Sequence, residues 1–290
     1  KFTDAAGNNN TAVDQYNWAY DGTAPIISEV IEGSAVTTSA NTYSLSFDGV
    51  DDIVSVPHSD NLNFGANNPM TVSFWLKKLS DEETHYLGKR AAQNDCSFQI
   101  AGTGDIIGIG GYPPDSDWSA LSITSPTPLL DTWTHIGFTF DGDKVVGYIN
   151  GTSIDSAYGG VLGPLSSDPL HFGGLDWGTN GDRYEGYLDE ISFWNIALTG
   201  SQMQYYMTSS PSGDEAGLVG YWKIDEGTGT SIADASGNGN SGTIVGATWS
   251  DDVPTTSTGG GDADYQNSTD QLIVSWSASA DSSGIANYEY

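Results

Sequence analysis

The 290-residue chain contains one cysteine, eight lysines and arginines together, and no run of eighteen apolar residues. Each scarcity excludes something. A lone cysteine, Cys96, rules out an internal disulfide, so neither a disulfide-stapled small domain nor a cysteine-rich zinc site is available. Eight basic residues against 38 acidic ones leave a formal charge of −30, a field that repels nucleic acid and anionic lipid and attracts cations. A nucleic-acid partner is therefore not expected, and so much acid suits solubility in a salty medium. Without a long apolar run no membrane insertion is expected. No basic and then apolar leader opens the chain, so the sequence reads as an excerpt that starts after any targeting segment.

What is plentiful points to strands and turns: 37 Gly, 15 Tyr and 9 Trp, with many Ser, Thr and Asn and few long helix formers. Strand-like segments recur at short spacing, at 43–47, 53–56, 71–76, 98–100, 135–140, 145–149, 170–172, 187–194 and 218–222. That is sandwich spacing. Asp141-Gly142 and Asn150-Gly151 flank the 145–149 run as turn dipeptides, which predicts consecutive hairpins. One short helix is expected after Thr199, whose hydroxyl can cap it with Gln202 three residues on.

The ends read differently. Residues 1–33 carry "TDAAGN" and "DGTAP" and resemble the closing strand and linker of a bacterial immunoglobulin-like repeat. Residues 255–261, Thr-Thr-Ser-Thr-Gly-Gly-Gly, have a flexible linker composition. Residues 262–290 alternate through Leu272, Val274 and Trp276 and resemble the opening strands of a fibronectin-type-III-like module. The expected organisation is one domain at 34–254 between neighbouring β modules of the same chain.

Within that span, "SLSFDGVDDIVSVPHSDNLNF", "MTVSFWLK", "WTHIGFTFDGDKVVGYINGT" and "YEGYLDEISFWNIAL" resemble, in order, the strands of laminin-G-like jelly-roll domains of bacterial secreted proteins. The resemblance implies an all-β, two-sheet antiparallel jelly-roll β-sandwich of the concanavalin A-like kind, secreted or at the cell surface. "GLVGYWKIDEGTGTSIADASGNGNSGTIVGATW" is also typical of such domains but often precedes the jelly roll. Its place here suggests either a permuted order in which the last strand completes the same sheet or a fragment of a second module.

Relatives of this fold include lectins, adhesins, glucanases and lyases, so the choice rests on side chains. A retaining glucanase needs two carboxyls about 5 Å apart. Glu185 and Asp189 could share a strand face with Glu190 opposite, but closely spaced glutamates are lacking. A lyase would gather Tyr, His and Arg or Gln in a groove. His58, His85, His135 and His171 are scattered in sequence, and Lys77, Lys78, Lys89, Arg90 and Arg183 supply the central positive charge. His135 and His171 lie in strand patterns, where packed histidines are the commoner case. No nucleophile elbow, phosphate loop or HExxH occurs.

Sugar binding needs aromatic faces beside short polar groups. Tyr112 and Trp118 in one loop, and Trp177 and Tyr184 in another, are the expected stacking residues, whereas Trp75, Trp133, Trp194 and Trp222 fall in or beside strands and read as core. The expected partner is a polysaccharide or cell-surface glycan. A structural spacer of a surface adhesin is the alternative, and a polysaccharide-degrading hydrolase or lyase the second.

Calcium is the expected cofactor, in two places. In resembling domains the "FDGVDD" and "LDE" phrases lie near each other and often hold it, which implies Asp48, Asp51 or Asp52 and Asp189 as ligands of a structural ion. The plain alternative is that the acids of "FDGVDD" cap their own turn. Similarity in layout to pentraxin-like lectins implies a second, ligand-linked calcium at Asn94, Asp95, Asp176 and Asp182, although the dense acid and amide run of such lectins is missing.

Overall fold

A computed structural model describes residues 41–92, 95–111, 121–159, 162–175 and 183–254, with backbone alone at 91, 92 and 95. They fall in one compact unit, Ser39–Gly259. The chain runs β1 (Ser44–Asp48), β2 (Ile53–Val56), a 3-10 turn (Asp60–Leu62), β3 (Met70–Lys78), β4 (Thr84–Ala92), β5 (Asp95–Thr103) and β6 (Ile106–Gly110). It continues through β7 (Leu121–Thr124), β8 (Thr134–Phe140), β9 (Lys144–Ile149), β10 (Thr152–Tyr158), β11 (Leu170–Phe172) and β12 (Glu185–Trp194). Helix α1 (Gly200–Thr208) precedes β13 (Leu218–Trp222), β14 (Ser231–Ile232), β15 (Gly242–Val245) and β16 (Thr248–Ser250).

These strands make two antiparallel sheets, the expected jelly-roll sandwich. The first runs β10-β9-β8-β3-β12-β1-β16, with β13 also on β12; the second runs β14-β15-β2-β11-β4-β5-β6-β7. Alternation explains the packing: Leu45, Phe47, Val72, Phe74, Leu76, Ile136, Phe138 and Leu188 of the first sheet enter one core with Val54, Val56, Phe98, Ile100, Ile107, Ile109 and Phe172 of the second. Asn150 and Gly151 both take positive φ, 48° and 70°, as the two-residue turn between β9 and β10 requires.

The expected helix forms with its capping box intact: the Gln202 amide donates to Thr199 Oγ1, and the Gln202 side chain accepts from the Thr199 amide. It lies on the outer face of the first sheet, where a Cβ at Gly137 would come within 2.6 Å of Met203 Sδ. A smaller cluster of Trp194, Leu198, Leu218 and Tyr221 joins it there.

The permuted order holds. β16 pairs with β1, β15 pairs with β2, and Trp222 of β13 lies in the central core against Phe172 and Phe193. The 218–250 stretch therefore contributes strands to both sheets of the same sandwich.

His135 is packed edge-on to Trp75 at 5.3 Å, and its Nδ1 has no hydrogen-bond partner among the described residues. Burial lowers its pKa to about 3. Because the folded state then binds fewer protons than the unfolded chain between about pH 6.5 and 3, stability is full above pH 6.5 and falls with acid. Urea unfolding from pH 7.5 to 4.5 should show the wild type losing about 2–3 kcal/mol more than His135→Phe. Parallel pH profiles for the two proteins would refute this assignment.

Candidate functional site

The register of the first sheet lines up Thr248, Ser46, Tyr187 and Lys77 across β16, β1, β12 and β3. Their neighbours Leu45, Phe47, Leu188 and Leu76 are core, so alternation turns this row outward. Trp133, just before β8, extends it: its ring lies 6.1 Å from that of Tyr187. α1 covers other rows of the same face, but Trp133, Lys77, Tyr187 and Ser46 are half-buried and Thr248 is exposed.

Asp252, beyond β16, holds the row in place. It accepts from Trp133 Nε1 at 2.8 Å and Lys77 Nζ at 2.8 Å, and Lys77 also pairs with Asp131 at 3.0 Å. Lys77 sits 5.8 Å over the Tyr187 ring. The Asp252 hydrogen bond is the main cause that raises the Lys77 pKa. Although burial pushes Asp252 upward, the Lys77 and Trp133 hydrogen bonds hold it below the usual carboxylate range. Two aromatic faces thus flank a fixed ammonium and carboxylate, which can stack on a sugar ring and pair with its hydroxyls.

This fold and this alternating motif order decide the family. The chain belongs to the concanavalin A-like lectin/glucanases superfamily, whose sequence profile matches residues 47–204. Among solved structures it is similar to a candidate carbohydrate-binding protein from Bacteroides ovatus, with a TM-score of 0.58 and 21% identity over 73% of this chain and 61% of that one. It also resembles the heptameric SAP-like pentraxin of Limulus polyphemus, at 0.49 and 16% over 70% and 94%. The chain spans about three fifths of the Bacteroides protein, and at such identity the likeness is one of fold. Comparison with curated proteins gave no match.

Within this superfamily fold, the sequence expectations separate. Tyr184 is a correction: it is 1% exposed, its hydroxyl donates to the carbonyls of Lys77 and Tyr187, and its ring packs on Phe47 and Tyr86. A ring buried on both faces cannot stack on a sugar. Tyr112, Trp118, Trp177, Asn94, Asp176 and Asp182 lie outside the described residues, as does the Asp95 side chain. Trp194 and Trp222 are core as expected, whereas Trp133 faces outward because the residue before β8 keeps the sheet's alternation.

Asp48, Asp51 and Asp52 bring carboxylate oxygens within 4.8 Å of one another, a cluster that could hold a metal ion. Part of it caps its own turn, since Asp48 Oδ1 accepts from the Val50 amide and Asp52 Oδ2 from the Asp48 amide. Asp189 is not with them. The register sets Asp48 opposite Glu185, four residues along β12 from Asp189, or about 13 Å at strand rise. That spacing also separates Glu185 from Asp189 by more than a retaining carboxyl pair needs.

Asp189 occupies a different corner, where β12 exchanges β1 for β13 as its neighbour and bulges, with Glu190 at φ 50°. Asp189 is 0% exposed and accepts from Asn41 Nδ2 at 2.6 Å and the Glu190 amide. Burial first, then the charge of Glu190, pushes its pKa well up. Buried Glu190 accepts from Tyr221 and Ser210, and Asp225 closes the corner by accepting from Thr42 and Tyr43. Three acids thus lie near one another with Lys223 beside them, and among the described residues the buried Asn41 Oδ1 has no hydrogen-bond partner. Two buried acids and an orphaned amide oxygen are oxygen ligands of the kinds calcium takes, although among the described residues only Asp48, Asp51 and Asp52 bring three acids within 4.8 Å of one another.

His171 lies close in space to one of the central basic residues. His171 pairs across from Gly88, which pairs with Gln99 on its other side, and Arg90 donates to Gln99 Oε1 at 2.6 Å. All are buried, and Leu175 lies against Gly88.

Proposed function

We propose that this chain is a calcium-stabilised carbohydrate-binding module of a secreted or cell-surface protein, at 34–254 between a β module that ends within 1–33 and another that begins within 262–290. The outward row Trp133, Lys77 and Tyr187 carries the reading. It joins half-buried aromatic rings to charged groups already fixed by hydrogen bonds, so little ordering entropy is lost when a sugar ring docks. Asn41 and Asp189 are the side chains that would hold the calcium, which would neutralise the buried acids where β12 changes neighbour. The carbohydrate-binding name of the Bacteroides relative supports the same reading.

Depletion from solution by a panel of insoluble polysaccharides tests it. At least one glycan should bind the wild type saturably, and Trp133→Ala or Tyr187→Ala should each weaken that binding at least about tenfold, the ~1.4 kcal/mol or more expected from an aromatic face covered by ligand. Circular dichroism should show both variants folded. A spacer would bind no glycan saturably. Glycan binding untouched by both variants would sink this site.

A further inference from the structure

Two residues along the strands from the aromatic row, the same end of the sandwich holds a cavity of about 190 Å³. Three turns enclose it: the one after β1, the one between β3 and β4, and the stretch entering β12. Backbone hydrogen bonds tie them together, from the Gly49 amide to the Tyr184 carbonyl at 3.1 Å and from the Leu79 amide to the Glu185 carbonyl at 2.9 Å. Gly49, at φ 76°, lies so close that a Cβ there would be 3.1 Å from the Glu185 side chain. Glu185 follows the same alternation as Tyr187, so the cavity and the row lie on one surface, about 7 Å apart at strand rise.

The cavity's side chains are unusual in what they leave unpaired. Glu82, Glu83 and Glu185 line it together with Arg183, yet Arg183 makes no ion pair with any of them, and its buried Nη1 has no hydrogen-bond partner among the described residues. Thr84, 5% exposed, also lines the cavity, and its buried Oγ1 has no partner either. Buried polar atoms are nearly always satisfied, so two orphans in residues of one cavity wall, each within a side-chain rotation of the space, mark a place for a ligand.

The wall specifies the chemistry. Three carboxylates against one guanidinium, in a protein of formal charge −30, disfavour a uronate or sulfated sugar. A bare cation would answer the glutamates but would sit beside Arg183 and leave it without an acceptor. A simple amine has the same deficiency. A sugar ring with a free ammonium supplies both needs at once: positive charge for the carboxylates, and hydroxyl or ring oxygens for Arg183 and Thr84. We propose that this rim cavity takes one amino-sugar residue, unacetylated at nitrogen, at the end of a glycan lying along the Trp133 and Tyr187 row. The inference rests on the carbohydrate-binding reading.

Calorimetric titration of the full chain with glucosamine tetramer and with its fully N-acetylated counterpart tests the proposal. The glucosamine tetramer should bind at least about tenfold more tightly, a preference that added salt reduces. Glu82→Gln with Glu83→Gln should abolish the preference. Asp143→Asn with Asp155→Asn, an equal charge change near the β9–β10 edge, should keep it. Thr84→Val should weaken glucosamine binding about fivefold, near the worth of one net hydrogen bond, with Tm unchanged because no protein hydrogen bond is lost. Equal affinity for the two tetramers, or a preference that survives the double glutamine variant, would overturn the amino-sugar assignment. Either result would leave the carbohydrate-binding reading standing if Trp133→Ala still removed glycan binding. Loss of all binding dependence on Trp133 and Tyr187 would instead count against that reading.

Discussion

Trp222→Ala is expected to lower the free energy of unfolding by about 3–5 kcal/mol, the usual cost of emptying a buried tryptophan site. In a domain of this size that is a fall in Tm of about 6–20 °C. The expectation rests on where β13 lies. Trp222 is 0% exposed, 4.9 Å centroid to centroid from Phe172 of the second sheet and 6.1 Å from Phe193 of the first, so its ring bridges the two layers. Its Nε1 donates to the Asn240 carbonyl at 2.8 Å, and Asn240 Nδ2 returns to the Val219 carbonyl at 2.7 Å. Asp234 braces the same loop by accepting from the amides of Tyr221, Ser236 and Asn240. Trp222→Phe keeps most of the ring contact and should cost less than half as much. Denaturant unfolding that showed Trp222→Ala within 1 kcal/mol of wild type would mean that 218–250 belongs to a separate module.

Calcium at a hundredfold excess over its dissociation constant should stabilise the chelated protein by about 2.7 kcal/mol, or about 5–11 °C in Tm. The Asp189 corner sets the sign for variants. Asp189→Asn removes a charge that burial and Glu190 oppose, so without calcium it should melt above the chelated wild type. Calcium should then add little to it. Asp51→Asn, in the exposed turn cluster, should retain the full calcium increment. Calorimetric melts of the three proteins with calcium and with chelator decide the matter. A calcium increment that persists in Asp189→Asn but vanishes in Asp51→Asn would move the ion to the turn after β1, and no increment in the wild type would remove it altogether.

Much of the architecture is legible in the sequence because the signals are local. The runs at 53–56, 170–172 and 218–222 coincide with β2, β11 and β13, and the Thr199–Gln202 cap marks α1, since alternation, turn dipeptides and capping depend on neighbours in sequence. β4 carries no such local signal, for an identifiable reason. "THYLGKRAA" carries Lys89 and Arg90 in a central strand, where they are buried against His58 and Gln99, and such charges argue against a strand until their partners are known. β10, with most of its residues exposed at the sheet edge, has little apolar pattern to read.

The site was less legible. A tryptophan beside a strand reads as core, because only the pairing of β8 with β3 and the reach of Asp252 from beyond β16 show Trp133 facing outward. Tyr184 failed in the opposite sense: a tyrosine in a Gly-rich loop looks exposed, but its loop turns inward and the hydroxyl finds two backbone carbonyls. The sequence by itself determined the all-β class, the hairpins and the strongly acidic field, which follow from composition and short-range pattern, and it pointed to the superfamily through the motif phrases that resemble it. Tertiary structure alone decided that Asp189 lies four strand positions from the Asp48 turn, that Thr84 and Arg183 meet at one cavity, and that 218–250 closes the same sandwich. Those facts depend on strand register and on contacts between residues about a hundred or more positions apart, which local physical chemistry does not encode.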